Sequence, residues 1–321
     1  MKIVVLDGLT LNPGDNPWSE VEALGEFTVY DRTAPEKIME RAGQAEIVVT
    51  NKTLLRDETL IRLPRLRLIA VTATGYNVVD VAAAGRLGIP VVNVPEYGSA
   101  SVAQHAISLL LELTNRVGLH ADEVQSGAWQ NAPDFSFTRS PLIELAGKRF
   151  GVIGFGRIGQ QTARIAHALG MEILVRNHRP KDSPSDLPVT RVDLPELFAT
   201  ADVVSLHCPL TNDNGGFVNA RVLSSMKRTA FLVNTARGAL INEWDLAEAL
   251  QAGTIAGAAL DVLSVEPPAP ENPLLTAPRC IITPHNAWAT LEARQRLMSA
   301  TAANIRAFLD GTPTNVVNKF K

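Results

Sequence analysis

Short apolar runs alternate with segments of helical pattern along the N-terminal part of the chain. The apolar runs occupy positions 3–6, 47–50, 68–71 and 90–94. The segments with helical spacing lie near positions 35–44, 56–62 and 80–87. This alternation is typical of a parallel α/β fold.

A second series of the same kind follows, between two long helical segments. From residue 99 to about 118, apolar residues recur on one face of a predicted amphipathic helix that could bridge two domains. After an irregular stretch at 126–141, apolar runs recur beginning near 151 and at 172–175, 203–206, 231–234 and 257–260. The pattern of residues 290–309 predicts another long helix, and too little chain follows that helix to form a third domain.

Three glycines, Gly154, Gly156 and Gly159, separate the apolar run 150–153 from a helical segment that begins near Arg157. A bare G-x-G-x-x-G is weak evidence, because glycine is common and a structural loop can match it by chance. Between a strand and a helix, the first glycine makes a tight turn, the second lets the backbone approach a pyrophosphate, and the third lets the helix pack closely. The helix N-terminus then attracts the anion. The second series is therefore predicted to bind a dinucleotide.

These patterns together predict the fold class and the domains. We expect an α/β protein with two Rossmann-like or flavodoxin-like parallel-sheet domains and a cleft between them. Because the last helix is expected to return to the first domain, that domain is discontinuous, at 1–98 and 287–321. The dinucleotide-binding domain is predicted at 99–286.

Composition narrows the classes of protein. The chain has 321 residues, 46% of them hydrophobic, a formal net charge of −3 and no long basic run, so neither nucleic acid nor an anionic membrane is indicated as a partner. The apolar run at 3–6 is too short for a signal peptide, and no stretch reaches the length of a membrane span. Cys208 and Cys280 form no metal-binding or disulfide spacing. We expect a cytoplasmic protein without a metal.

Three residues could carry chemistry. Arg237 directly follows an apolar strand, where open α/β sheets present ligand-binding residues, and its guanidinium suits a carboxylate. His285 follows the apolar pair 281–282 and could transfer a proton near neutral pH. A carboxylate such as Glu266 beside it would stabilise the imidazolium and select its tautomer. Taken singly, the arginine could be a surface residue, the histidine structural and the glutamate a solvated loop residue.

The combination of these motifs, together with their order and spacing, resembles that of the D-isomer-specific 2-hydroxyacid dehydrogenases, and the resemblance covers essentially the whole chain. The motifs are the glycine turn at 151–159, 234–238 (NTARG), 259–262 (ALDV), 265–267 (VEP) and 283–285 (TPH). The resemblance implies hydride transfer from a nicotinamide, and it assigns the discontinuous first domain to the substrate. Arg237 would bind the substrate carboxylate and polarise the carbonyl, His285 would be the acid–base, and Glu266 would pair with His285.

Other roles implied by the resemblance have structural alternatives. Asp261 resembles the family residue near the nicotinamide ring, but an aspartate at a strand end could equally cap the next turn. Thr74 and Gly75 resemble the family's substrate loop, whose backbone N–H groups hold the carboxylate; the alternative, a tight turn followed by a helix cap at Asp80, is compatible with that role. Trp288 could wall the substrate pocket or pack at the domain junction.

The residues after the second strand of the dinucleotide domain bear on cofactor choice. NAD-using members usually have an acidic residue there to bind the adenosine ribose, whereas the matching position is Asn177, between Arg176 and Arg179. A carboxylate would repel a 2′-phosphate and either arginine could clamp one, so we predict a preference for NADPH over NADH. The alternative is a solvated basic loop in an enzyme that accepts both. The residues predicted to bind the cofactor are Gly154, Gly156, Arg157, Ile158, Gly159, Arg176, Asn177, Arg179, Pro209, Ala236 and Asp261.

The leading hypothesis is an oxidoreductase that reduces a small 2-oxo acid to the D-2-hydroxy acid. The resemblance is closest to glycerate dehydrogenases and glyoxylate/hydroxypyruvate reductases, through residues 73–77 and 285–288. A D-lactate or other D-2-hydroxyacid dehydrogenase using NADH is the enzyme alternative. A dinucleotide-sensing, partner-binding protein, like the corepressors of the same superfamily, is the non-enzyme alternative. By analogy we expect a homodimer, with 126–141 a candidate for subunit contact, and domain closure over the substrate.

Overall fold

The computed structural model describes residues 1–177 and 186–320. The chain forms two compact units, one comprising Met1–Gly98 and Trp288–Lys321 and the other Ser99–Ala287. The sequence-based division placed the second boundary one residue earlier. Within the described ranges, no helix is both long enough and apolar enough to cross a membrane.

The first unit contains a five-stranded sheet in which every neighbouring pair is parallel. Its strands are β1 (Lys2–Val5), β2 (Glu26–Val29), β3 (Ile47–Thr50), β4 (Leu68–Val71) and β5 (Val91–Val92), and its order is β2-β1-β3-β4-β5. Its first four helices are α1 (Ser19–Glu22), α2 (Ile38–Ala42), α3 (Asp57–Leu60) and α4 (Val81–Arg86), with a 3₁₀ turn at Pro35–Lys37. Every residue of β3 and β4 is buried, as expected for parallel strands covered on both faces.

The second unit begins with two helices, α5 (Ser99–Asn115) and α6 (Val117–Gln125), and contains a seven-stranded parallel sheet. Its strands are β6 (Arg149–Ile153), β7 (Glu172–Arg176), β8 (Thr190–Arg191), β9 (Val203–Leu206), β10 (Phe231–Asn234), β11 (Gly257–Leu260) and β12 (Cys280–Ile282). Its remaining helices are α7 (Arg157–Ala168), α8 (Leu194–Thr200), α9 (Ala220–Ser225) and α10 (Glu243–Ala252), with 3₁₀ turns at Gly238–Leu240 and Pro273–Thr276. The chain returns to the first unit as α11 (Leu291–Leu309).

The strand order of the second unit locates its ligand-binding edge. The order is β12-β11-β10-β9-β6-β7-β8, so the chain moves outward from β6 in one direction and then, from β9 onward, in the other. In open parallel sheets, ligands bind at the carboxyl ends of the strands where the order reverses. The glycine turn follows β6 at this position. The predicted fold class, two parallel-sheet α/β domains, is confirmed.

One helix prediction is corrected. The segment predicted as one helix from residue 99 to about 118 is two helices, because Arg116 between them has a left-handed backbone (φ 50°) that an α-helix cannot contain. The buried face explains where the break falls. Leu113 and Thr114 are still buried on α5, whereas no residue of α6 is buried, so no apolar face continues beyond Asn115. The predicted C-terminal helix is α11, and Thr290 caps it by accepting a hydrogen bond from Ala293 N.

Candidate active site

The glycine turn after β6 contains two glycines that packing requires. Gly154 has φ +97°, and a Cβ there would lie 2.5 Å from both Cys208 N and His207 C. A Cβ on Gly159 would overlap the carbonyl oxygen of Gly154, so a larger residue would push α7 away from the turn. Gly156 differs, since a Cβ at that position would have no atom within 4 Å. The turn is therefore closed on its protein side and open at Gly156.

The open position lies at the N-terminus of α7. Gly156 is the N-cap residue, and no side chain caps the helix there. Backbone N–H groups at an uncapped N-terminus, together with the helix dipole, favour an anion. The open space at Gly156 and the uncapped helix end fit the pyrophosphate of a dinucleotide, with Arg157 and Ile158 forming the first turn of the helix.

The end of β7 is joined to the glycine turn by a hydrogen bond of 2.9 Å from Gly154 N to Arg176 O. Arg176 is exposed, and its Nη1 donates to Asn177 O at 3.3 Å. The structure thus brings two of the predicted cofactor-binding residues, Arg176 and Asn177, beside the glycine turn, and neither is acidic. Arg179, the third member of the predicted basic segment, lies outside the described residues.

The end of β9 lies on the other side of the turn, where His207 N donates to Ile153 O at 2.7 Å. His207 Nε2 lies 2.8 Å from Ser205 Oγ, and burial lowers the pKa of His207 to about 4. Burial also raises the pKa of the Cys208 thiol. His207 is consequently neutral near pH 7. Pro209, predicted to contact the cofactor, follows directly.

Arg237 follows β10 in a loop shaped by the buried Asn234 side chain, which donates to Arg237 O at 2.9 Å and accepts from Ala236 N at 3.0 Å. The Arg237 side chain is exposed, and its Nη1 donates to Ala236 O at 2.7 Å. A Cβ on Gly238 would overlap the backbone of Leu263. This close packing places the arginine loop against the segment that leads to Glu266. Within the same loop, Thr235 Oγ1 is buried and has no hydrogen-bond partner among the described residues.

The predicted pair of His285 and Glu266 is in direct contact. His285 Nδ1 lies 2.5 Å from Glu266 Oε2, and Glu266 Oε1 accepts a hydrogen bond of 3.0 Å from Leu263 N. Since a carboxylate oxygen only accepts, the ring proton lies on Nδ1 and Nε2 is left at the outer end of the ring. The two side chains are 32% and 33% exposed, so solvent can reach them. An imidazole held by a carboxylate in this way can act as a general acid–base.

Asp261, which follows β11, lies only 1% exposed beneath the His285 loop. Its Oδ1 accepts from Thr283 Oγ1 at 2.6 Å and from Asn286 N at 2.9 Å, and its Oδ2 accepts from Ala287 N at 3.0 Å. These contacts support the alternative that Asp261 caps the next turn. Its predicted contact with the nicotinamide stays a prediction.

In the first unit, the predicted substrate loop has free backbone donors. Thr74 is exposed, and no described residue accepts a hydrogen bond from the N–H of Thr74 or Gly75. The loop is anchored by its other groups, because Thr74 Oγ1 donates to Val94 O at 3.0 Å and Thr74 O accepts from Asn93 Nδ2 at 2.7 Å. The predicted cap at Asp80 is confirmed, since its side chain accepts from Ala83 N.

Trp288 is partly buried and packs against the hydrophobic core of the first unit, with its ring in a T-shaped arrangement with Tyr97 and the ring centroids 6.3 Å apart. The structure thus shows this side chain packing within the first unit. Its role in walling the substrate pocket remains a prediction.

Three further residues, which the sequence did not identify as part of the site, contact Asp261 and the His285 loop: Ser101, His105 and Thr283. A signal for two of them was present, because Ser101 and His105 are polar residues one helical turn apart on a predicted amphipathic helix. Nothing in the sequence identified their partners, which lie nearly two hundred residues further along the chain: the Ser101 contact spans 186 positions.

Comparison with known proteins agrees with this geometry. Residues 107–287 match the family model described as D-isomer specific 2-hydroxyacid dehydrogenase, NAD binding domain. The chain is 50% identical to hydroxypyruvate reductase of Blautia hydrogenotrophica, across 99% of this chain and 100% of the relative. It is 41% identical to glycerate dehydrogenase of Methylorubrum extorquens, across 98% of each.

Among solved structures, the chain is similar to an acyclic imino acid reductase (Bsp5) in complex with NADPH and D-Arg. The TM-score is 0.84 at 30% identity, over 99% of this chain and 100% of that one. The chain therefore belongs to the D-isomer-specific 2-hydroxyacid dehydrogenase family and is a nicotinamide-dinucleotide-dependent oxidoreductase.

Proposed function

We propose that the protein reduces a small 2-oxo acid, hydroxypyruvate or glyoxylate, to the D-2-hydroxy acid. The contact between His285 Nδ1 and Glu266 Oε2 carries the proposal, because it gives the strand-end site a proton donor of fixed orientation. Relatives named hydroxypyruvate reductase, glycerate dehydrogenase and glyoxylate reductase support the choice of substrate.

In the proposed mechanism, Arg237 binds the substrate carboxylate with its guanidinium and polarises the adjacent carbonyl. When bound, the nicotinamide supplies a hydride to the carbonyl carbon. His285 Nε2 donates a proton to the carbonyl oxygen, which completes the alcohol and leaves a neutral imidazole. Glu266 keeps the ring oriented and stabilises its protonated form, which solvent restores after the reaction.

Residues of the first unit are assigned to the substrate. We propose that the free N–H groups of Thr74 and Gly75 bind the carboxylate, and that Trp288 limits the size of the substrate side chain. The predicted closure of the two domains over the substrate belongs to this proposal, because excluding water strengthens the charge interactions of the transition state.

For the dinucleotide, we propose that the pyrophosphate binds at Gly154, Gly156 and the first turn of α7. Pro209, Ala236 and Asp261 would flank the nicotinamide half. The observation that supports this placement is the open space at Gly156 beside an uncapped helix N-terminus.

Two alanine substitutions in the turn are expected to separate folding from binding. Gly154→Ala should lower the melting temperature by several degrees, because the methyl group overlaps the 207–208 backbone and the φ is unfavourable for alanine. Gly156→Ala should melt like the wild type yet bind NADPH about tenfold or more weakly, because its methyl group occupies the phosphate position. Thermal melts and fluorescence titration with NADPH measure both effects. Unchanged NADPH affinity in Gly156→Ala would contradict the proposed pyrophosphate site.

NADPH is the proposed preferred cofactor, because Asn177 replaces an acidic residue and Arg176 lies beside it at the glycine turn. Replacing Asn177 with Asp and Arg179 with Ala should shift the ratio of kcat/KM for NADPH to that for NADH toward NADH, by about tenfold or more. Steady-state assays with both cofactors measure the ratio. Exchanging Arg228, exposed and remote in sequence, for Ala is the control. An unchanged ratio in the double variant would remove the argument for NADPH.

We further propose a cytoplasmic homodimer with no nucleic-acid or membrane partner. The segment 126–141 supports a subunit contact, because Phe135 is 90% exposed and Trp129 is 53% exposed. Both cysteines are free thiols, which suits a reducing compartment.

The proposed function is tested by assaying purified protein with NADPH and NADH against hydroxypyruvate, glyoxylate and pyruvate. Fast reduction of either of the first two supports the proposal. A clear preference for pyruvate with NADH would instead favour a D-lactate dehydrogenase. Tight NADPH binding without turnover on any 2-oxo acid would favour a dinucleotide sensor.

A further inference from the structure

The loop that carries His285 has a backbone conformation that needs support. His285 has φ +51°, in the left-handed region, which is unfavourable for a non-glycine residue. Its N–H donates to Asp261 O and to Thr283 O, both at 2.9 Å. The position of the proposed acid–base therefore depends on Asp261 and on the residues that flank it.

The Asp261 carboxylate links both sides of the loop. On the N-terminal side of His285, Thr283 Oγ1 donates to Asp261 Oδ1 at 2.6 Å. On the C-terminal side, Ala287 N donates to Asp261 Oδ2 at 3.0 Å. Because Asp261 is only 1% exposed, these donors replace the water that the charge would otherwise bind. Losing one donor would leave a buried carboxylate less well compensated and the loop less well held.

Helix α5 reaches the same network at two points one turn apart. Ser101 Oγ donates to Ala287 O at 2.6 Å, and His105 Nε2 lies 3.0 Å from Thr283 Oγ1 and 3.5 Å from Asp261 Oδ1. The Thr283 hydroxyl has one proton, which it gives to Asp261, so it can only accept from His105. His105 Nε2 therefore carries a proton. His105 donates to Thr283, and Thr283 donates to Asp261, so the donor and acceptor of each hydrogen bond are fixed.

We infer that His105 and Thr283 are positioning residues for the reaction: through Asp261, they hold His285 in line with the substrate carbonyl. This inference rests on the proposed role of His285 as acid–base. Neither residue needs to touch the substrate. Their effect on catalysis arises because a displacement of a catalytic group by about 1 Å is sufficient to slow a reaction by up to about 10²-fold.

Thr283→Val tests the inference, since it removes the hydroxyl and keeps the shape. We expect kcat for the 2-oxo acid to fall between about 10-fold and 100-fold, with Kd for NADPH changed by less than about twofold. Thr283→Ser should restore kcat. His105→Leu should have the same effect as Thr283→Val, and the double variant should be little worse than either, because both changes break one chain of hydrogen bonds.

Thr114→Val is the matched control. It removes a buried hydroxyl from α5 that donates within the helix, to Leu110 O at 3.0 Å and to Leu111 O at 3.2 Å. A general loss of packing on α5 would slow this variant as well. The inference requires its kcat to remain that of the wild type.

A second readout needs no turnover. In cofactor-free protein labelled with ¹⁵N-histidine, the Nδ1 signal of His285 can be assigned among the six histidines by its loss in His285→Gln. It should shift in Thr283→Val and in His105→Leu, and not in Thr114→Val. The signal reports the contact with Glu266 and so detects a displaced ring directly.

The outcomes separate this inference from the proposed function. If the wild type turns over while both variants keep its kcat and the His285 signal, the inference is overturned and the proposed function stands. If the wild type reduces no 2-oxo acid, the proposed function fails. In that case the NMR signal of His285 alone tests whether α5 positions the His285 ring. A shift of the signal in Thr283→Val supports this positioning, and an unchanged signal overturns the inference.

Discussion

Replacing His285 with glutamine is expected to lower kcat for 2-oxo acid reduction by about 10³-fold, within the range found for loss of a general acid. Glutamine can still accept or donate hydrogen bonds, so the loop and Asp261 contacts persist, but it cannot deliver a proton. Kd for NADPH should stay within about twofold of the wild type, because the predicted dinucleotide contacts lie on other loops. Stopped-flow oxidation of NADPH and fluorescence titration measure the two quantities.

His167→Gln provides the matched control, since His167 is exposed on the last turn of α7. It should keep wild-type kcat. A His285→Gln enzyme with kcat within about threefold of the wild type would exclude this histidine as the proton donor. His207 could not easily replace it, because burial holds the pKa of His207 at about 4.

Arg237→Lys is expected to lower kcat/KM for the 2-oxo acid by about 10³-fold, although it keeps the positive charge. Two parallel N–H donors of a guanidinium match a carboxylate, whereas a lysine ammonium offers a single point of attachment. The loss corresponds to about 4 kcal/mol of transition-state stabilisation. Steady-state kinetics over a range of 2-oxo acid concentrations measure it.

Arg228→Ala is the control for charge, because Arg228 is also exposed and lies in the same unit. It should leave kcat/KM unchanged. If Arg237→Lys retained more than about a third of the wild-type kcat/KM, the substrate carboxylate would have to bind elsewhere.

The sequence predicted those elements whose signal is local. β3 and β4 are wholly buried, and each appears in the sequence as a continuous apolar run. The predicted C-terminal helix, α11, begins directly after its N-cap residue Thr290. The glycine turn was predictable because the spacing of its three glycines between a strand and a helix is a local pattern, although the backbone that Gly154 must accommodate, at His207 and Cys208, lies on another strand end. The contact between His285 and Glu266 was anticipated from the resemblance and is present in the structure.

Elements with weak or distant signals escaped prediction. β2 lies at the edge of its sheet and has no buried residue, so no apolar run marks it. The break at Arg116 depends on where the buried face of α5 ends, which the amphipathic pattern did not define. The hydrogen bonds that connect His105, Thr283 and Asp261 join residues that are far apart in sequence, and only the fold brings these residues together.

The stereochemistry of the product is the sharpest test that this protein is a D-specific reductase of 2-oxo acids with His285 as its proton donor. Purified protein should be given NADPH and hydroxypyruvate, and the glycerate formed should be resolved on a chiral column. The proposed mechanism requires D-glycerate alone, formed in step with NADPH oxidation and lost in His285→Gln. L-glycerate, a racemic product, or no product from protein that binds NADPH would contradict it.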